Sequence, residues 1–313
     1  MSKVASEIVA NTLNDWYIAI KKQEVEESKE YYSKVKKLFD DMEEDQEVLA
    51  YYSLLEERHK MLLHSSRGEP LQRHSYFTED NQEFIKKTND KLEYNFYLFE
   101  AMYEAYNKNY DRAINLYVLA EKKLADIPDE IEAAEFYSKA ASLYIMLGQK
   151  IVSLNYIKVT MHIYKRNEYY KKKLAISIMV VGHNYTKLGQ FDKAEEIYFE
   201  AIRISKELDN QFFDAMIHHN LSITYSAANR SQDCLNALKR ALRNDDRCES
   251  VYYINSIYMI TKELVKMGYK DKALYYYKKG QDNLNQKENK VYEAKINIIY
   301  ELLQKNPSKI IDR

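Results

Sequence analysis

Turn-forming residues are scarce, with 6 Gly and 3 Pro among 313 residues, where average usage is about 7% and 5%. Few tight turns are available, which favours helices over a strand-rich fold. Charge of one sign is also missing: 47 Lys and Arg face 48 Asp and Glu, a formal net charge of −1. Without a basic excess the broad attraction to phosphate backbones is absent, so nucleic acid is not an expected partner. No apolar run nears the roughly 18 residues of a membrane span. The opening "MSKVASEIVANTLNDWY" alternates polar and apolar residues, unlike the continuous apolar centre of a signal peptide. The chain therefore reads as cytoplasmic, without membrane contact. The two cysteines, Cys234 and Cys248, have neither CxxC spacing nor a disulfide framework, which suits a reducing compartment and small core-filling thiols.

Motifs for bound metal or cofactor are absent too. His218 and His219 are adjacent, so on a helix they point about 100° apart and do not share one metal. Glu56 to His59, "EERH", lacks the first His of HExxH. No GxGxxG, P-loop or Ser/His/Asp constellation occurs, and no cofactor of its own is expected.

Apolar stripes at helical spacing are what the chain does have. Val9, Leu13, Trp16, Tyr17 and Ile20 form one. Tyr32, Val35, Leu38, Phe39 and Met42 form a second, and Val48, Tyr52, Leu55, His59 and Leu62 a third. Short connections make them antiparallel neighbours in a three-helix bundle over residues 1–64. Asp41 and Glu44 have the spacing of a capping box for the third helix. In "DDMEEDQEVLAYY" the amide of Gln46 stands among acids, near that helix's first turn, where a partner can reach it. The polar segment 65–81, with Gly68 and Pro70, reads as a linker.

Beyond the linker the chain repeats itself. "LGQFDKAEEIY" from Leu188, "MGYKDKALYYY" from Met267 and weaker copies place turn formers at Gly148, Gly189, Asn229 and Gly268, at steps of 41, 40 and 39. Such periods mean a helical solenoid. The tetratricopeptide pattern explains Gly182 and Tyr185 in a first helix, a turn at Gly189, and Ala194 and Ala201 where helices approach closely. The expected fold is all-α, a three-helix bundle followed by a superhelical tetratricopeptide solenoid over 82–313, with about five helix pairs plus one helix. A stacked array of this kind offers a groove for a peptide or a partner helix. The 30 tyrosines are expected to pack between helices. The basic run "YKRNEYYKKK", Tyr164 to Lys173, is expected as a solvated face, or else as a surface for an acidic partner.

The combination is more specific than either half. "NDWY" (Asn14 to Tyr17), "MEEDQEVLAYYSLLEERHKMLL" (Met42 to Leu63), "FEAMYEA" (Phe99 to Ala105) and "IEAAEFYSKAASLY" (Ile131 to Tyr144), followed by the repeats, resemble the Rap family of Bacillus response-regulator aspartate phosphatases and antagonists. The resemblance runs over nearly the whole chain. It implies that the bundle and adjoining repeats grip a response regulator, while the repeat groove takes a short Phr signalling peptide. It makes Gln46 the catalytic glutamine and Asp45, Leu49, Tyr52 and Leu55 the partner-binding surface. The Mg²⁺ needed for the chemistry is then expected on the response regulator. The sporulation-phosphorelay regulator is the implied substrate. The alternatives are a non-enzymatic antagonist covering the DNA-binding domain of a transcription factor, or a peptide-binding module without either target.

For the groove, the resemblance carries Asn220 over as a peptide anchor, but the family's partnering Asp is Lys187 here. A cation in place of an acceptor implies either loss of peptide control or a peptide of different sequence and charge. The chain is also shorter than the resemblance implies. Its final helix is expected to bare a stripe of Val291, Ala294, Ile298, Tyr300 and Leu302 that drives homodimerisation or fraying.

Overall fold

Helices follow one another wherever apolar positions recur at spacings of three and four. The computed structural model describes residues 5–39, 41–67, 69–71, 83–85, 88–244, 251–286 and 289–304. The first helices are α1 (Ser6–Lys22), α2 (Val25–Phe39) and α3 (Gln46–Arg67). After them come α4 (Asp90–Tyr106), α5 (Tyr110–Leu124), α6 (Glu130–Met146) and α7 (Lys150–Lys165). A 3-10 turn, Glu168–Tyr170, leads into α8 (Lys171–Lys187), α9 (Phe191–Glu207), α10 (Gln211–Ala227) and α11 (Ser231–Asn244). The described chain ends with α12 (Val251–Lys266), α13 (Lys270–Gln286) and α14 (Lys290–Gln304). Two compact units result, Met1–Ser177 and Ile178–Arg313, divided within α8.

In the first unit, Trp16 of α1 is fully buried and gathers Tyr32, Tyr52 and His59, with ring centroids 5.5, 6.1 and 5.4 Å away. Its Nε1–H donates to Ser28 Oγ at 3.0 Å, and that hydroxyl lies 2.7 Å from His59 Nδ1. One indole thus joins all three bundle helices. The first stripe is buried at every position, whereas in the second Val35 is buried and Tyr32, Leu38, Phe39 and Met42 are half-buried. The start of α3 differs from the capping box expected at Asp41 and Glu44. Asp45 is the cap, its Oδ1 accepting from the N–H groups of Glu47 and Val48 at 3.0 and 3.2 Å. A single carboxylate directly before the helix satisfies two otherwise unpaired donors. The helix then runs to Arg67, three residues into the expected linker, and residues 72–82 lie outside the described residues.

The repeat spacing has a physical cause. Lys108, Gly148, Gly189, Asn229 and Gly268 all sit in the left-handed region, with φ of 64°, 74°, 72°, 57° and 77°. In each case the next N–H reaches the carbonyl five residues before it: Asn109 to Glu104, Gln149 to Tyr144, Gln190 to Tyr185, Arg230 to Tyr225 and Tyr269 to Leu264, at 2.8–2.9 Å. This closure satisfies helix-end carbonyls and turns the chain into its partner helix. The pairs are α4 with α5, α6 with α7, α8 with α9, α10 with α11, and α12 with α13. The last helix, α14, packs on α12 and α13. Close approach explains Gly182, where a Cβ would lie 2.9 Å from the Tyr198 ring. Ala194 and Ala201 are fully buried on the same helix as Tyr198.

Other expectations sort similarly. Cys234 is buried, and burial pushes its thiol up to about 12, so it fills space and stays protonated. Cys248 lies outside the described residues. Tyrosines do pack between helices, as in the Tyr137–Tyr156–Tyr144 stack with centroid spacings of 5.6 and 5.5 Å. The basic run is not simply a solvated face. Tyr164 and Lys173 are buried, and Lys172 Nζ donates to the Gln23 carbonyl at 2.9 Å, which ties the run back to the end of α1. On α14 the buried positions are Ile296, Ile299 and Leu303. Of the stripe expected to be bare, Val291 and Ile298 are exposed, but Tyr300 stacks on Tyr277 with centroids 4.5 Å apart.

Candidate functional site

Gln46 is the first residue of α3 and is exposed. The cap formed by Asp45 fixes the backbone just before it, so the amide starts from a rigid position. It makes no hydrogen bond within the described residues. Glu43, Glu44 and Glu47 around it are also exposed. An amide presented this way can donate and accept at once without carrying charge.

Its proposed neighbours divide. Asp45 has Oδ1 committed to the cap, and Leu49 is half-buried one turn on. Tyr52 is half-buried, its ring 4.6 Å from that of Phe39 and its hydroxyl donating to Glu56 Oε1 at 3.4 Å. Burial and the Glu56 charge raise its phenol above the usual range. Leu55 requires a correction. It is fully buried in the bundle core, because it lies on the apolar stripe of α3 that Val48, His59 and Leu62 also carry inward, and in this conformation it offers nothing to a partner.

In the second unit, Lys187 ends α8 and is exposed, while Asn220 lies half-buried in α10. The Nδ2 of Asn220 donates to the Met216 carbonyl of its own helix at 3.0 Å. No hydrogen bond joins Asn220 to Lys187 among the described residues. Their helices are nevertheless pinned at this level by Thr186 and Thr224, whose hydroxyls meet at 2.7 Å. One turn before Lys187, burial and that same ammonium lower the His183 imidazole. The first helices of neighbouring pairs therefore present an amide and a cation.

Residues 3–64 match the family model described as response regulator aspartate phosphatase H, N terminal, and residues 174–247 match the tetratricopeptide repeat. Regulatory protein RapK of Bacillus subtilis is 66% identical over 302 residues, covering 96% of this chain and 81% of the relative. The chain belongs to the Rap family. Response regulator aspartate phosphatase I of the same organism is 30% identical over 299 residues, covering 95% of this chain and 76% of that protein. A crystal structure of a Rap protein complexed with competence and sporulation factor superposes with a TM-score of 0.80 at 29% identity, covering 96% of this chain and 82% of the other.

One constellation in this Rap chain was not legible as chemistry in the sequence. Glu132 and Glu135 of α6 are buried acids that receive the bundle. Lys21 Nζ and Tyr17 OH reach Glu132 at 2.7 and 2.9 Å, and Arg58 Nη2 reaches Glu135 at 2.8 Å. Lys173 Nζ meets the other Glu135 oxygen at 2.6 Å. Burial alone would raise the Glu135 carboxyl, but Lys173, Lys139 and Arg58 outweigh it and hold it well below its ordinary value. Two acids three residues apart in the otherwise apolar "EAAEFY" were the available signal.

Proposed function

We propose that this Rap protein is a response-regulator aspartate phosphatase, with Gln46 as the residue that acts on the reaction. The observation that carries this reading is the exposed, unengaged amide at the start of α3, within the segment matching the phosphatase family model. Hydrolysis needs a water in line with the aspartyl–phosphorus bond. The water oxygen bonds to phosphorus, the P–O bond to aspartate breaks, and inorganic phosphate and the free carboxylate result. Gln46 would orient that water through its carbonyl and N–H groups, as the glutamine of a GTPase does. The Mg²⁺ in this scheme belongs to the response regulator. Leu49 and Tyr52 would add apolar contact beside the amide, and the exposed acids would guide docking.

The sporulation-phosphorelay regulator is the substrate class this reading favours, and a Phr-like peptide meeting Asn220 and Lys187 is its regulator. A complex of a related Rap protein with competence and sporulation factor supports peptide control. A second reading has a specific support. The 66% identical relative is named a regulatory protein, a name that also fits an antagonist that covers a transcription factor's DNA-binding domain without hydrolysis. Mixing the purified chain with a panel of phosphorylated response regulators, and following label loss and complex formation together, separates the two. Label loss supports the phosphatase. Stable complexes with retained label support the antagonist, and neither outcome with any regulator would remove both.

A further inference from the structure

The first unit holds a cavity of about 230 Å³ between α4, α5 and α6, lined by none of the residues of the Gln46 site. Its apolar walls include Met102, Tyr106, Tyr117 and Met146, and its cations are Lys108 and Lys139. Lys139 stands one helical turn after Glu135, on whose carboxylate three cations converge. Arg58 and Lys173 hold one oxygen each at 2.8 and 2.6 Å, which leaves Lys139 at 3.7 Å. The Nε of Arg58, also buried, has no hydrogen-bond partner among the described residues. Positive charge at this point therefore exceeds the single carboxylate it surrounds. Of the three cations, Lys139 alone lines the cavity, with its side chain 22% exposed.

We propose that this cavity binds a small monocarboxylate with one ring or a short chain, its charged end on Lys139 Nζ and its apolar body against the tyrosine and methionine walls. The volume lies below the roughly 300–1,000 Å³ of pockets for larger ligands, which limits the body to about one ring. The aromatic and thioether walls suit a flat or flexible apolar group. The groups facing Lys139 are Glu135 and Ser142 on its own helix, Arg58 of α3, Tyr106 of α4, Lys108 of the following turn, Tyr110 and Tyr117 of α5, and Lys173 of α8. Burial first, then repulsion from Lys173 and Arg58 against the attraction of Glu135, lowers the Lys139 amine to about 7. An arriving carboxylate favours the protonated amine, so binding draws in a proton.

Calorimetry of the full chain with benzoate, at pH 6, 7 and 8 and in buffers of different ionisation heat, tests this directly. The expected result is saturable one-site binding, with proton uptake near pH 7 and affinity that falls as pH rises from 7 to 8. Lys139→Met removes the binding. Met146→Trp, at an exposed rim position, narrows the mouth and weakens binding at least about tenfold while the thermal midpoint holds. Absence of saturable heat with the native chain up to about 20 mM benzoate, a level far weaker than functional pockets show, would overturn the proposal. So would equal affinity in native and Met146→Trp proteins.

Discussion

Arg58 of α3 and Glu135 of α6 form an ion pair of 2.8 Å in which each side chain is 2% exposed. The bundle and the first repeats are thereby held by charges removed from water. Truncating Arg58 leaves the buried Glu135 with Lys173 at 2.6 Å as its remaining close cation, so Arg58→Ala should destabilise the chain by about 1.5–3 kcal/mol, the scale of one charge-assisted hydrogen bond. Glu135→Ala should cost more, because it strands Arg58 and Lys173 together. Urea unfolding measures both. Losses near zero, or a smaller loss for Glu135→Ala, would contradict this assignment.

Acid should weaken the bundle through His59. Burial, reinforced by Lys29, lowers its imidazole to about 4. The unfolded chain, with a value near 6.5, binds the proton first, so stability is full above about pH 6.5 and falls as pH drops toward 4. Between pH 7 and 5 the loss from this group is about 2 kcal/mol. Unfolding midpoints measured across that interval should fall for the native chain and fall less for His59→Gln. An unchanged slope in the variant would move the effect elsewhere.

Lys187 sets the charge of the α8–α10 face. Lys187→Asp should strengthen binding of a Phr-like pentapeptide by about 1–3 kcal/mol, through a charge-assisted hydrogen bond to the peptide. Calorimetry checks it. Tight binding by the native chain with no gain in the variant would show that the lysine does not oppose the peptide.

What the sequence made legible follows from locality. The repeat steps survive as left-handed helix ends because each is fixed by a few adjacent residues, and Gly182 betrays a close helix contact by lacking a side chain. The bundle stripes survive because burial follows helical period. Position along a helix was harder to read. Asp45 won the cap over Asp41 because it directly precedes the first turn, and Leu55 went to the core although its neighbours Leu49 and Tyr52 remain partly open. The acids on α6 were opaque for another reason. Their cations come from α1, α3 and α8, so nothing close in sequence announces the pairing.

The central claim rests on Gln46. Its exposed amide contributes little contact area but would orient the attacking water, so Gln46→Ala should bind a phosphorylated response regulator nearly as well as the native chain does. Its dephosphorylation rate should fall by roughly 10²-fold or more, the scale of losing a group that acts only in the transition state. The decisive measurement is phosphate release in single turnover by the two proteins at saturating, independently measured binding. Release lost with binding kept is the predicted result, and equal release rates would remove Gln46 from the mechanism.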